Sequence, residues 1–134
     1  MSMMRRKIRG FTLVEVLVVV VILAILAAIA VPIYLRYVAS ARAGEAQEAI
    51  GAIWAAAKIY HSKYGNWPNN IQLLENDGLR LDQIVQNKWE FSISAGGTGI
   101  RTITARGTRA PVTGKNVNFN AQTGVWTGYG ITQD

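Results

Sequence analysis

From Val16 to Ile33 no side chain is polar, and Phe11 to Val14 in front, with Tyr34 and Leu35 behind, lengthen the run. As a helix this stretch is long enough to cross a hydrocarbon layer of roughly 30 Å. The segment therefore belongs in a membrane at some stage of the chain's life. Four cations, Arg5, Arg6, Lys7 and Arg9, precede it, while only Arg36 and Arg42 follow closely. That asymmetry places the N-terminus in the cytoplasm and the remainder outside. One residue disturbs the pattern: Glu15, a carboxylate near the start of the apolar run.

Three readings of the segment differ in what they make of Glu15. An ordinary secretory signal peptide would use Ala28-Ile29-Ala30 as its small-x-small site and free a soluble binding module from Val31. An acid inside its apolar region would weaken insertion and serve nothing. A plain uncleaved anchor would carry Glu15 at a cost of about 2 kcal/mol or more at depth, less near the interface. The third reading uses the acid. If the chain is cut between Gly10 and Phe11, the new amine lies at the membrane edge with Glu15 about one helical turn deeper. An unpaired charge near hydrocarbon is far costlier than a paired one, so the Glu15 of one copy and the Phe11 amine of another would drive and register side-by-side assembly.

A basic leader followed by Gly10, Phe11, Thr12, Leu13, Val14, Glu15, and then an unbroken apolar helix with Pro32 near its end, resembles the class III signal of bacterial type IV pilins and of the pseudopilins of type II secretion. The resemblance covers roughly the first forty residues, and the short leader resembles the type IVa subgroup. It implies that a prepilin peptidase cuts after Gly10 and methylates the Phe11 amine. It implies further that Phe11 and Glu15 serve assembly into a helical homo-oligomeric filament on a pilus assembly platform. A glycine before the cut lets the backbone approach a protease closely. The implied organisation is a leader over 1–10, a transmembrane half of the helix over 11–35, an amphipathic half over 36–64, and a head over 65–134.

Pro32 removes a backbone donor and crowds the preceding turn, which predicts a kink; the resemblance to pilins implies that in a filament the helix around Ala24 to Pro32 can lose regular structure, with a simple bend as the alternative. Beyond Leu35 the chain stays alanine-rich and helical in character up to Gly65. One helix from Phe11 to Tyr64 would be about 80 Å long. Ala49 to Tyr60 is apolar nearly all round, with Lys58 its only charge, so it needs cover on more than one side. The stripe Ala46, Ile50, Ile53, Ala57, Tyr60 and Tyr64 is expected on the chain's own sheet, which leaves Ala49, Ala52, Ala56 and Ile59 for neighbours. Gly65 should cap the helix and Pro68 stop the chain from resuming it. "YGNWP", Tyr64 to Pro68, also resembles the family's way of closing this helix.

The head begins with a loop carrying a short helix over Ile71 to Asn76. The period then changes to two: Trp89, Phe91, Ile93 and Ala95 alternate with polar residues and predict a half-buried strand. A turn over Gly96 to Gly99 leads to a second strand, Ile100 to Arg106. Val117, Phe119 and Ala121 give a third strand, and Val125 to Thr127 a short fourth. Short connections favour antiparallel pairing, so the expected fold is α+β: a long helix on a small sheet of about four strands. With no cysteine in the chain, strand pairing and Trp126 must hold the C-terminal segment, whose end should be less protected.

Of fourteen cations, four lie in the first ten residues, which leaves ten against eight acids. Net charge therefore gives no sign of nucleic-acid binding. Arg101, Arg106, Arg109 and Lys115 form a local positive bias opposed only by Asp134. One meaning is contact with DNA, acidic polysaccharide or lipid; the favoured one is a solvated sheet face. In "GTRAPVTGKN" Gly107 is seven residues from Gly114 where a P-loop needs five, and Asn116 stands where Ser or Thr should bind magnesium, so no P-loop is present. A single histidine, His61, expected at the exposed end of the long helix, excludes His-rich metal sites. No catalytic residue, metal or cofactor is expected. The leading expectation is a type IV pilus subunit, an inner-membrane precursor that becomes part of an extracellular filament. A major pseudopilin in a periplasmic pseudopilus is the alternative; pseudopilins often carry an acidic calcium loop near the C-terminus, whereas no acid occurs here between Phe91 and Gln133.

Overall fold

The computed structural model describes residues 8–132. Arg5, Arg6 and Lys7 of the basic cluster, and the Asp134 that opposes the positive bias, lie outside the described residues. Helix α1, Leu13–Tyr64, accounts for much of the chain and contains Pro32 without ending there. The chain divides into two compact units between Leu35 and Arg36. In the first, every described residue is exposed, including the whole run from Leu13 to Leu35. By length and composition this helix can cross a membrane, and so many exposed apolar side chains call for a partner outside the chain.

The second unit has a core of its own. Ala43, Ala46, Ile50, Ile53 and Ala57 recur at three- and four-residue intervals, fall on one face of α1 and are all completely buried. They meet Leu74, Trp89, Ile100, Ile103, Ala105, Val112 and Val117 in one cluster. The expected stripe holds from Ala46 to Tyr60, which is half-buried against the core, and fails at Tyr64, which is exposed. Of the four residues expected to face neighbours, Ala52 and Ile59 are exposed and Ala56 is half-buried, but Ala49 belongs to the buried face. α1 ends where expected: Gly65 has φ +76°, a left-handed conformation that glycine adopts at no steric cost, and its N–H donates to the His61 carbonyl at 2.8 Å.

Two short helices follow. In α2, Ile71–Asn76, the cap is Asn70, which accepts from the Leu73 N–H at 3.0 Å. In α3, Gln83–Lys88, Asp82 accepts from the Ile84 N–H at 2.7 Å. The sequence pattern gave no helix at α3, because a six-residue helix is too short to display a period; the Asp82 cap is its signal. The sheet is fully antiparallel in the order β1 (Trp89–Gly96), β2 (Gly99–Gly107), β3 (Asn116–Asn120), β4 (Trp126–Gly128). Trp89, Phe91 and Ile93 alternate inward as the sequence predicts, but Ala95 is exposed. The register shifts between Ser94 and Ala95, with Ser94 opposite Thr102 and Ala95 opposite Ile100, so Arg101 is the extra residue of a bulge.

The C-terminal segment is held by more than strand pairing. The Tyr129 N–H donates to the Asn116 carbonyl at 2.8 Å. Gly130, at φ +69°, lies so close to the Ala39 carbonyl and the Ala43 methyl that a side chain there would collide with both. His61 is also more involved than expected: it is half-buried, with its ring stacked 4.2 Å from Trp67, which in turn stacks with Trp54 at 5.8 Å.

Candidate assembly site at the start of the long helix

The residues singled out at the N-terminus converge on one turn of backbone. Gly10 and Phe11 precede the helix in exposed chain, and Phe11 is 87% exposed. Thr12 is the cap of α1. Its hydroxyl accepts from the Glu15 N–H at 3.2 Å, while its own N–H donates to Glu15 Oε2 at 3.2 Å. The Val16 N–H reaches the Thr12 carbonyl at 3.3 Å and closes the first turn. This is a reciprocal capping box, which satisfies two backbone donors that a helix start leaves open. It also places a carboxylate at the positive end of the helix dipole.

The arrangement changes how Glu15 reads. Within one chain the acid already has a partner, the Thr12 N–H. Its other oxygen, Oε1, accepts no hydrogen bond among the described residues. Beside it, Phe11, Val16, Val19 and Val20 line a shallow apolar hollow of about 320 Å³. A carboxylate oxygen at the rim of an apolar hollow suits a cation that arrives with a hydrophobic side chain attached. The capping bond of Thr12 is what the reading from sequence alone missed; Thr-x-x-Glu directly ahead of an apolar run was its signal.

The four cations of the head are all exposed but do not form one patch. Arg101 sits beside Gly96 at one end of β2. Arg106, opposite Glu90 and Asn116, is at the other end, about 16 Å away along an extended strand. Arg109 and Lys115 belong to the β2–β3 loop, and the Lys115 ammonium lies 5.7 Å from the Tyr129 ring.

Residues 5–31 match a family profile, the prokaryotic N-terminal methylation motif. The chain is also similar to the fimbrial protein EcpC of Eikenella corrodens, with 35% identity over 109 residues that cover 79% of this chain and 68% of that protein. A methylation motif at the membrane end, a fimbrial relative that extends well into the head, and a long apolar helix carrying a four-stranded antiparallel sheet together place this chain in the type IV pilin family.

Proposed function

We propose that the chain is a structural subunit of a type IV pilus. It enters the inner membrane as a precursor with its N-terminus in the cytoplasm and its head outside, is cut by a prepilin peptidase between Gly10 and Phe11, and is methylated on the Phe11 amine. It then polymerises at a pilus assembly platform through side-by-side packing of its N-terminal helices. The subunit catalyses nothing; motor and peptidase are separate proteins.

The observation that carries the proposal is Glu15, held by its capping box with one oxygen free at the edge of an apolar hollow. Cleavage creates the matching cation. The Phe11 amine of an incoming copy meets Oε1 while its ring fills the hollow, so one contact provides both charge neutralisation and apolar burial. Pro32, a residue that weakens the helix around it, gives the filament a place to bend or to melt between Ala24 and Pro32. Among the described residues no acid follows Glu90, which supports a pilus over a pseudopilus with an acidic calcium loop.

Mass spectrometry of the mature chain is the direct test, with a methylated Phe11 terminus expected. A mature start at Val31 would overturn the proposal. Glu15→Ala should leave cleavage intact and abolish filaments; normal filament yield from that variant would remove the pairing step.

A further inference from the structure

Several separate contacts bring cations from distant parts of the sequence to one end of the head. Arg36 is the first charged residue after the apolar run and lies between two exposed tyrosines, Tyr34 at 67% and Tyr37 at 73%. Exposed tyrosines flanking a spanning segment mark the level of the lipid headgroups. Arg42 follows less than two turns later. Gly130 packs on Ala39 and Ala43, Tyr129 is bonded to Asn116, and the Lys115 ammonium lies over the Tyr129 ring. The other end of the same loop is fixed as well, since the Thr108 N–H donates to the Lys88 carbonyl at 2.8 Å and the Lys88 ammonium holds Glu45 at 3.0 Å. Val112, 1% exposed, anchors the middle of the loop.

The β2–β3 loop, with Arg109 and Lys115, therefore sits beside the stretch of α1 from Ala39 to Glu45. Ala39 is three residues past Arg36, about 5 Å along a helix, and Glu45 is nine past it, about 14 Å. A headgroup layer is roughly 5–8 Å deep on each side of the hydrocarbon, and a charge acts over about 8 Å at physiological salt. Long basic side chains on this loop are within reach of that layer. The acid in this stretch, Glu45, is already paired with Lys88.

We propose that, in the membrane-inserted precursor, Arg36, Arg42, Arg109 and Lys115 form a basic collar that docks the head on an anionic lipid surface. Arg101, at the far end of β2, takes no part. The collar holds the unassembled head against the leaflet by charge alone, and it releases when assembly draws the subunit out of the lipid. Each basic side chain near an anionic leaflet favours the docked state about fivefold.

The full-length chain, reconstituted into vesicles, tests this through amide hydrogen exchange of residues 108–116. Exchange should be several-fold slower in equal parts phosphatidylglycerol and phosphatidylcholine than in phosphatidylcholine alone, and high salt should abolish the difference. Combining Arg109→Gln with Lys115→Gln should remove the slowing, whereas Arg101→Gln should retain it. Equal exchange in the two lipids overturns the proposal. So does slowing that persists at high salt, a result the unaltered chain supplies even if the double variant misfolds. Slowing in neutral vesicles on addition of heparin or DNA, with none from anionic lipid, assigns the cations to a soluble polyanion and also overturns it. The inference rests on the inserted precursor proposed above. Alkaline extraction of the chain from vesicles would overturn that reading and this one together, whereas unchanged exchange in a chain that resists extraction overturns the collar alone.

Discussion

The two halves of α1 share one secondary structure and differ in almost everything else. Up to Leu35 every side chain is apolar after Glu15 and every one is exposed; from Ala43 to Ala57 a narrow stripe of alanine and isoleucine is fully buried. Helix propensity does not account for the contrast, because the first half, rich in β-branched valine and isoleucine and carrying Pro32, is as helical as the alanine-rich second half. What differs is where the covering surface comes from. The second half finds it in its own chain, in a sheet that folds back from residue 89 onward, while the first half has none among the described residues and needs one from outside the chain.

The sharpest way to break that contrast is to truncate one isoleucine in each half. Ile53→Ala removes a completely buried side chain from the stripe and should destabilise the head by about 2–5 kcal/mol. Ile25→Ala, at a position 58% exposed, should leave head unfolding unchanged within about 0.5 kcal/mol. Denaturant unfolding in detergent, followed by tryptophan fluorescence, measures both. A comparable loss from the two variants would mean that the first half also packs within its own chain.

Gly130 tests whether the stripe's small residues serve the C-terminal segment as well as the sheet. Gly130→Val forces a side chain into the Ala39 carbonyl and the Ala43 methyl at a left-handed φ. It should cost about 1–3 kcal/mol and speed proteolysis after Thr127. Slow, unchanged cleavage would show that strand pairing alone holds the end.

Thr12→Val probes the other half. It removes the hydroxyl that caps the Glu15 N–H, at about 1 kcal/mol. Amide exchange at Leu13 to Glu15 should quicken while the head's unfolding stays put. If exchange at those amides is unaltered, the capping box does not hold the carboxylate in place.

These positions also show what the sequence could and could not convey. The membrane-length run, the Gly65 stop and the alternation from Trp89 to Ile93 were legible because each is a local pattern repeated over enough residues to have a period. The capping box was equally local and was overlooked because Glu15 had a long-range explanation that competed with it. α3 was too short for periodicity. Ala95 was misassigned because a bulge is one extra residue on one strand, and only pairing shows it. The His61–Trp67–Trp54 stack and the seat of Gly130 on Ala39 join residues far apart in sequence, and no spacing rule announces such contacts.

At the far end of the second half, Lys63, Tyr64 and Asp77 form an exposed clamp that fastens the last turn of α1 to the end of α2. Asp77 accepts from the Lys63 ammonium at 3.1 Å and from the Tyr64 hydroxyl at 2.9 Å. The bonds from Lys63 and then Tyr64 hold the Asp77 carboxyl below its ordinary 3.8, while the same carboxylate raises Tyr64 above its ordinary 10.0. A depressed carboxyl stabilises the fold above its unfolded value and loses that contribution as pH falls through its folded value. A raised phenol stabilises below its unfolded value and loses it as pH rises through its folded one. The clamp should therefore be intact from about pH 4 to pH 10 and weaken outside that range. Asp77→Asn should flatten both edges with little change at neutral pH, because the partners are exposed and solvent screens them. Thermal unfolding across pH measures it. Acid and alkaline edges that stay as steep in the Asn variant would show that other groups set them, and that α1 is fastened to the head by its buried stripe alone.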